Sequence, residues 1–128
     1  MSAPHEVCRT HRCKVLLVDD ESLIRRLTAR ALIEADYDVI EAADGDEALA
    51  LLRSGTPVDV VISDVMMPRM SGLELAERVK EEFPQLRMIL ISGYESGRHA
   101  PFPLVPKPFQ LSDLVAQITR ALEGGDLA

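Results

Sequence analysis

Cysteine is scarce in this chain. Cys8 and Cys13 are the only two, and both precede the first apolar run, so no disulfide framework is expected. Nowhere does an apolar run approach the roughly 18 residues of a membrane-spanning helix. The opening MSAPHEVCRTHRCK also lacks the apolar core of a secretory signal, which leaves the cytoplasm as the expected compartment. Positive charge is short as well: 14 Lys and Arg stand against 21 Asp and Glu, a formal net charge of -7. A surface so biased is not built to neutralise nucleic-acid phosphates or anionic lipid, so neither direct nucleic-acid binding nor membrane association is expected. With 47% hydrophobic and 27% charged residues among 128, the chain reads as one globular domain able to fold on a hydrophobic core alone.

Residues 1–13 read as a flexible leader, 14–123 as the folded domain and 124–128 as a frayed tail. The leader holds His5, Cys8, His11 and Cys13 in the pattern H-x2-C-x2-H-x-C. That spacing matches no zinc motif of defined turn geometry, and a flexible tail is the preferred reading.

Beyond the leader, short aliphatic runs alternate with helical periodicity. Val15 to Val18, Val58 to Ile62 and Met88 to Ile91 lack polar alternation, as suits strands buried on both faces; Val39-Ile40 and Leu104-Val105 are shorter versions. Between them, Ile24, Leu27 and Ala31 share one helical face, as do Leu73, Ala76, Val79 and Phe83, and again Leu111, Leu114, Val115, Ile118 and Leu122. Asp44 with Glu47 and Ser71 with Glu74 fit capping boxes, Ser22 and Ser112 are candidate N-caps, and Gly55 and Pro84 supply stops. Strands are thus expected near 14–18, 38–42, 58–63, 86–91 and 104–106, and helices over 22–35, 45–54, 72–83 and 112–123. This alternation implies an α/β fold, a doubly wound five-stranded parallel sheet. Only eleven residues, Gly93 to Pro103, join the last two strands, and they include Pro101 and Pro103. A fourth crossover helix is accordingly expected to be shortened or absent, with Phe102 covering the open sheet edge.

Ligands of such sheets bind beyond the carboxyl ends of the strands. There stand Asp19, Asp20 and Glu21 after the first strand, Asp64 after the third, Ser92 after the fourth and Lys107 after the fifth. Any one such aspartate is ordinarily a helix cap or turn former, and most lysines are solvated surface charges. Their joint placement at four strand ends is harder to explain that way. If the strands run in the order 2-1-3-4-5, Asp19 and Asp20 lie beside Asp64, and three anions that close call for a cation. Carboxylates without His or Cys favour Mg2+ over zinc. Asp64, alone at its strand end, then suits a nucleophile that takes up a phosphoryl group, with Ser92 and Lys107 completing the anion site.

The motifs V-D-D-E at 18–21, D-V-M-M-P-R-M-S-G at 64–72, I-S-G at 91–93 and K-P-F at 107–109 closely resemble the receiver domain of two-component response regulators. The resemblance covers residues 14–123 and implies the flavodoxin-like sheet order 2-1-3-4-5. It implies that Asp64 is the phosphoacceptor, fed by a sensor histidine kinase or a histidine phosphotransfer protein. It also implies that Asp20, Asp64 and the main-chain carbonyl of Met66 ligate Mg2+, with Asp19 acting largely through water. Ser92 would hydrogen-bond the phosphoryl oxygens, Lys107 would pair with them, and the Lys107–Pro108 peptide would be cis. The chain departs from the family where receivers often carry an aromatic switch, three residues before the lysine, because Leu104 stands there. Tyr94 is a candidate substitute switch, and with Met66 a candidate shield against hydrolytic water. The expected function is that of a phosphoacceptor switch acting on an output protein whose identity the sequence leaves open, as it does homodimer formation. A phosphate shuttle or sink in a phosphorelay is the alternative. A Mg2+-dependent aspartyl-phosphate phosphatase is disfavoured, since such enzymes usually carry a D-x-D pair, whereas Asp19 and Asp20 are adjacent.

Overall fold

A computed structural model describes residues 12–93 and 102–123. Five strands form one parallel sheet: β1 (Lys14–Val18), β2 (Asp38–Ala42), β3 (Val60–Asp64), β4 (Arg87–Ser92) and β5 (Leu104–Pro106). Their spatial order is β2-β1-β3-β4-β5, the order expected. Four helices accompany them among the described residues: α1 (Ser22–Glu34), α2 (Gly45–Arg53), α3 (Gly72–Glu82) and α4 (Leu111–Leu122). None of these is long and apolar enough to cross a membrane.

Side chains of successive strand residues alternate between faces, and the aliphatic runs therefore feed two cores. On one face Val15, Leu17, Val60, Ile62, Ile89, Ile91 and Val105 pack with Ala29 and Leu32 of α1 and with Leu114, Ile118 and Leu122 of α4. On the other, Leu16, Val18, Val61 and Leu90 pack with Ala48, Leu49 and Leu52 of α2 and Leu75, Ala76 and Val79 of α3. The register sets Val15 beside Val60 and Asp64 beside Ile91, which brings the carboxyl ends of the central strands level with one another.

Several local expectations change. β3 starts at Val60 rather than Val58, because the Asp59 side chain accepts the Lys14 N–H at 2.8 Å and its own N–H donates to the Lys14 carbonyl at 2.8 Å. That exchange ties the approach to the strand before the ladder begins. Asp44 and Ser71 cap α2 and α3 as anticipated, accepting from the N–H groups of Glu47 at 2.8 Å and Glu74 at 3.1 Å. Ser22 and Ser112 do not cap. Glu21 holds the N-cap position of α1 without a side-chain bond, and Gln110 holds that of α4, its N–H donating to Asp113 Oδ2 at 2.9 Å. The core-facing stripe of α1 also differs, since Ile24 and Leu27 are exposed and the inward face carries Arg25, Ala29 and Leu32. Cys13 belongs to the core rather than to a solvated leader, and it is disulfide-bonded, which the cysteine count had not suggested. His5, Cys8 and His11 lie outside the described residues, as does most of the β4–β5 connection, including Tyr94 and Pro101, on which the expectation of a missing crossover helix falls. Phe102, at the end of that connection, packs against the second core with the Lys80 ammonium 5.9 Å from its ring centroid.

The ends of α2 and α3 are joined by an Arg53–Glu82 pair: Nε donates to Oε1 at 2.8 Å and the second guanidinium nitrogen to Oε2. The hydrogen bond from Arg53 holds the Glu82 carboxyl below its ordinary range. A carboxyl lowered in the folded state contributes stability above its unfolded pKa and loses it as pH falls through the folded value. Glu82→Gln is therefore expected to lower the urea midpoint slightly at neutral pH and not at all in acid below the glutamate range. Added salt should shrink even the neutral-pH difference, because the pair is solvent-exposed.

Candidate functional site

The site grows out of the ends of β1, β3, β4 and β5. β3 ends at Asp64, which is buried at 6% exposure. Its flanks are fixed from both sides: the Ser63 hydroxyl donates to the Asp64 carbonyl at 3.0 Å, and the Val65 N–H donates to the Ile91 carbonyl of β4 at 2.9 Å. Asp64 is therefore presented by rigid backbone. β1 delivers Asp19, also buried, whose N–H donates to the Ala42 carbonyl of β2 at 3.1 Å and whose Oδ1 accepts the Glu21 N–H at 3.0 Å. Asp20 follows it into solvent, and among the described residues no hydrogen bond or ion pair holds its carboxylate.

One carboxylate oxygen from each of Asp19, Asp20 and Asp64 can be drawn into a group lying within 4.8 Å of one another. The electrostatics register the crowding. Burial raises the Asp19 carboxyl above its ordinary value; the Glu21 N–H and Lys107 oppose this, while the Asp64 and Asp20 charges reinforce it. Beside this cluster, Lys107 reaches from the end of β5 and donates from Nζ to Asp64 Oδ2 at 3.2 Å. Its main-chain N–H donates to the Ser92 carbonyl at 2.8 Å, so the lysine is carried on the last ladder bond between β4 and β5. The Lys107–Pro108 peptide is cis, as expected. Ser92, 2% exposed, closes the same edge at the end of β4.

The structure thus brings together Asp19, Asp20, Asp64 and Lys107, with Ser92 on the adjoining strand end. Met66 lies in the loop after β3 and is 57% exposed. Leu104, at the position of the usual aromatic switch, is half-buried in β5 against the second core. Sequence reasoning missed Arg25. Its guanidinium donates to the main-chain carbonyl of Asp19 at 2.7 Å and to Glu41 Oε1 at 2.9 Å. Arginine is ordinarily a solvated residue, and nothing in the α1 pattern signals otherwise.

Three oxygen donors with no nitrogen or sulfur among them, converging from two adjacent strand ends, fit a hard divalent ion that keeps open positions for water or phosphate oxygens. The Lys107 ammonium beside them fits the remaining anionic side of a phosphoryl group.

Residues 15–119 match the response regulator receiver domain family, and the chain belongs to it. It is a phosphoacceptor receiver of two-component signalling. It is 40% identical over 120 residues to the sensor kinase CckA of Brucella abortus, a match covering 88% of this chain but 13% of CckA. Against the response regulator receiver protein CpdR of the same organism it is 33% identical over 116 residues, covering 85% of this chain and 96% of CpdR. Among solved structures, that of the response regulator TrrA from Thermotoga maritima in complex with Mg2+-BeF aligns with a TM-score of 0.79 at 33% identity, over 86% of this chain and 99% of that one. The shuttle or sink and the phosphatase weighed from the sequence are not favoured by these relatives.

Proposed function

We propose that Asp64 is the residue phosphorylated in this receiver, that Mg2+ is the assisting ion, and that the donor is the phosphohistidine of a sensor histidine kinase or of a histidine phosphotransfer protein. The observation that carries this is the placement of Asp64: a carboxylate on rigidly held backbone, grouped with two further carboxylates and with the Lys107 ammonium 3.2 Å away. In the proposed step an Asp64 carboxylate oxygen attacks phosphorus, the P–N bond to the donor imidazole breaks, and an acyl phosphate forms on Asp64. Such a transfer asks little covalent chemistry of the protein beyond the nucleophile, and depends on positioning and on neutralising the equatorial oxygens. Lys107, released from Asp64 as that carboxylate turns to phosphorus, is set to pair with a phosphoryl oxygen, and the Ser92 hydroxyl to donate to another. Held by the carboxylates of Asp20 and Asp64 and the main-chain carbonyl of Met66, with Asp19 acting largely through water, Mg2+ would supply the rest of the positive charge. TrrA supports this choice of ion, since it was captured with Mg2+ and a beryllium fluoride, a tetrahedral stand-in for a phosphoryl group.

The self-phosphorylation is stoichiometric, so the chain is read as a switch and not as an enzyme turning over a separate substrate. Residues 14–123 form the receiver, a cytoplasmic location is part of the reading, and the output goes to a partner protein. Tyr94, Met66 and Leu104 remain the proposed shield and switch positions. Incubation with acetyl phosphate and Mg2+ should add the mass of one phosphoryl group, seen by intact-mass spectrometry, and prior chelation of the metal should prevent it. No adduct under saturating donor and Mg2+ would overturn the reading.

A further inference from the structure

The Asp20 carboxylate is the least supported member of the acidic group: it is exposed, and among the described residues nothing binds it. Its position therefore depends on the backbone that carries it. That backbone leaves β1 at Val18 and enters α1 at Ser22, a span of three residues, Asp19 to Glu21. Each end is pinned. The Asp19 N–H is bonded to Ala42 and the Glu21 carbonyl accepts the Arg25 N–H at 2.9 Å. Between them the peptide joining Asp19 to Asp20 has one carbonyl oxygen, and the Arg25 guanidinium donates to it at 2.7 Å. The same guanidinium is oriented from behind by Glu41 of β2, at 2.9 Å from Nε, and the Arg25 side chain is only 14% exposed.

From this geometry we infer that Arg25 is a positioning residue for the cation site: by holding the Asp19–Asp20 peptide plane it fixes where the Asp20 carboxylate stands relative to Asp64. The inference rests on the Mg2+ reading given above. It does not rest on charge. Arg25 is a cation near a cation site, so on electrostatics alone its removal would tighten Mg2+ binding. Positioning predicts the opposite sign. Groups that orient metal ligands from outside the coordination sphere typically change metal affinity by about ten- to a hundredfold when replaced. A lysine is no substitute, because one ammonium on a flexible stem does not reproduce a planar fork that meets a carbonyl and a carboxylate together.

Mg2+ is titrated calorimetrically into the metal-free wild type, Arg25→Met and Arg25→Lys, with Asp20→Asn as the reference for a lost ligand. Thermal midpoints in chelator show that each variant is folded, and Arg25→Lys, which keeps charge and stem, decides the matter if Arg25→Met does not fold. The expected result is Mg2+ affinity about ten- to a hundredfold weaker in both variants. Acetyl phosphate labelling should return to within a few-fold of wild type once Mg2+ is raised to saturation, because Asp64, Ser92 and Lys107 are untouched. Wild-type or tighter Mg2+ binding in a folded Arg25 variant overturns the inference. So does labelling that stays slow at saturating Mg2+ with affinity unchanged. Absence of Mg2+ binding to the wild type would instead overturn the metal assignment itself.

Discussion

Asp64→Asn is expected to reduce phosphoryl labelling from acetyl phosphate to background while leaving the receiver folded. The amide of asparagine is a poor nucleophile at phosphorus and cannot form an acyl phosphate, so loss of the adduct follows from the chemistry of the side chain alone. Its effect on stability is less obvious, because Asp64 both pairs with Lys107 and repels two carboxylates. With an effective dielectric of about 20, the attraction at the Lys107 distance is of order 5 kcal/mol, and each repulsion within the acidic group is of order 3 to 4 kcal/mol. Two repulsions outweigh one attraction, although exposure of Asp20 screens its share. In metal-free buffer the variant should therefore melt no lower than the wild type. It should also lose most of the stabilisation that Mg2+ confers on the wild type through binding the native state. Intact-mass spectrometry and thermal melts with and without chelator read both effects. An adduct of unchanged yield on the asparagine variant would remove Asp64 from the role assigned to it.

What the sequence made legible depended on distance along the chain. Continuous aliphatic runs at Val15–Val18 and Met88–Ile91 announced doubly covered strands because both faces had to be apolar, and the structure buries both. The carboxylates of the candidate site were legible for the same reason. A polar residue immediately after such a run must emerge at the sheet edge, so the positions of Asp19, Asp64 and Ser92 followed from where the strands stop. Arg25 was not legible. Its role depends on α1 crossing over β1 towards Glu41 on the neighbouring strand, a contact between residues sixteen apart that no periodicity encodes. The helical stripe even argued against it, because Ile24 and Leu27 offered a more apolar face than Arg25, Ala29 and Leu32. Burial of a satisfied guanidinium overrode that preference. The N-cap of α4 failed differently. Ser112 is the stronger capping type, but the Asp113 carboxylate accepts the Gln110 N–H at 2.9 Å while the Asp113 N–H donates to the Gln110 carbonyl at 2.9 Å, and those bonds set the helix start.

The other large effect is expected from Gly72→Ala, at the start of α3, a substitution that changes no charge in the site. A Cβ built there would stand 2.1 Å from the Asp64 carbonyl oxygen, 2.8 Å from its carbonyl carbon and 2.9 Å from the Val65 Cα. All three are backbone atoms. None can swing aside as a side chain would, because the Asp64 carbonyl accepts the Ser63 hydroxyl, the Val65 N–H is bonded to β4 and the Gly72 N–H donates to the Val65 carbonyl at 2.9 Å. Either α3 lifts off the sheet, opening the core around Leu75, Ala76 and Val79, or the end of β3 moves and carries Asp64 with it. Overpacking of this kind costs about 1–3 kcal/mol, and the absence of any yielding neighbour places Gly72→Ala at or above the top of that range. A displacement of about 1 Å in the nucleophile can slow its reaction roughly a hundredfold, so labelling should fall steeply even in the fraction that remains folded. Gly45→Ala is the matched control. Its Cβ would meet only side-chain atoms of Met70, Sδ at 2.5 Å, Cγ at 3.1 Å and Cβ at 3.2 Å; the thioether end can change rotamer, whereas the Met70 Cβ can give only by a small shift of this buried residue. That variant should lose stability towards the lower end of the same range, about 1 kcal/mol, and label at nearly the wild-type rate, because no backbone atom of Asp64 is touched. Urea midpoints and initial labelling rates for the two variants separate the cases. Wild-type labelling by a Gly72→Ala protein would mean that the close approach of α3 to β3 does not set the position of Asp64.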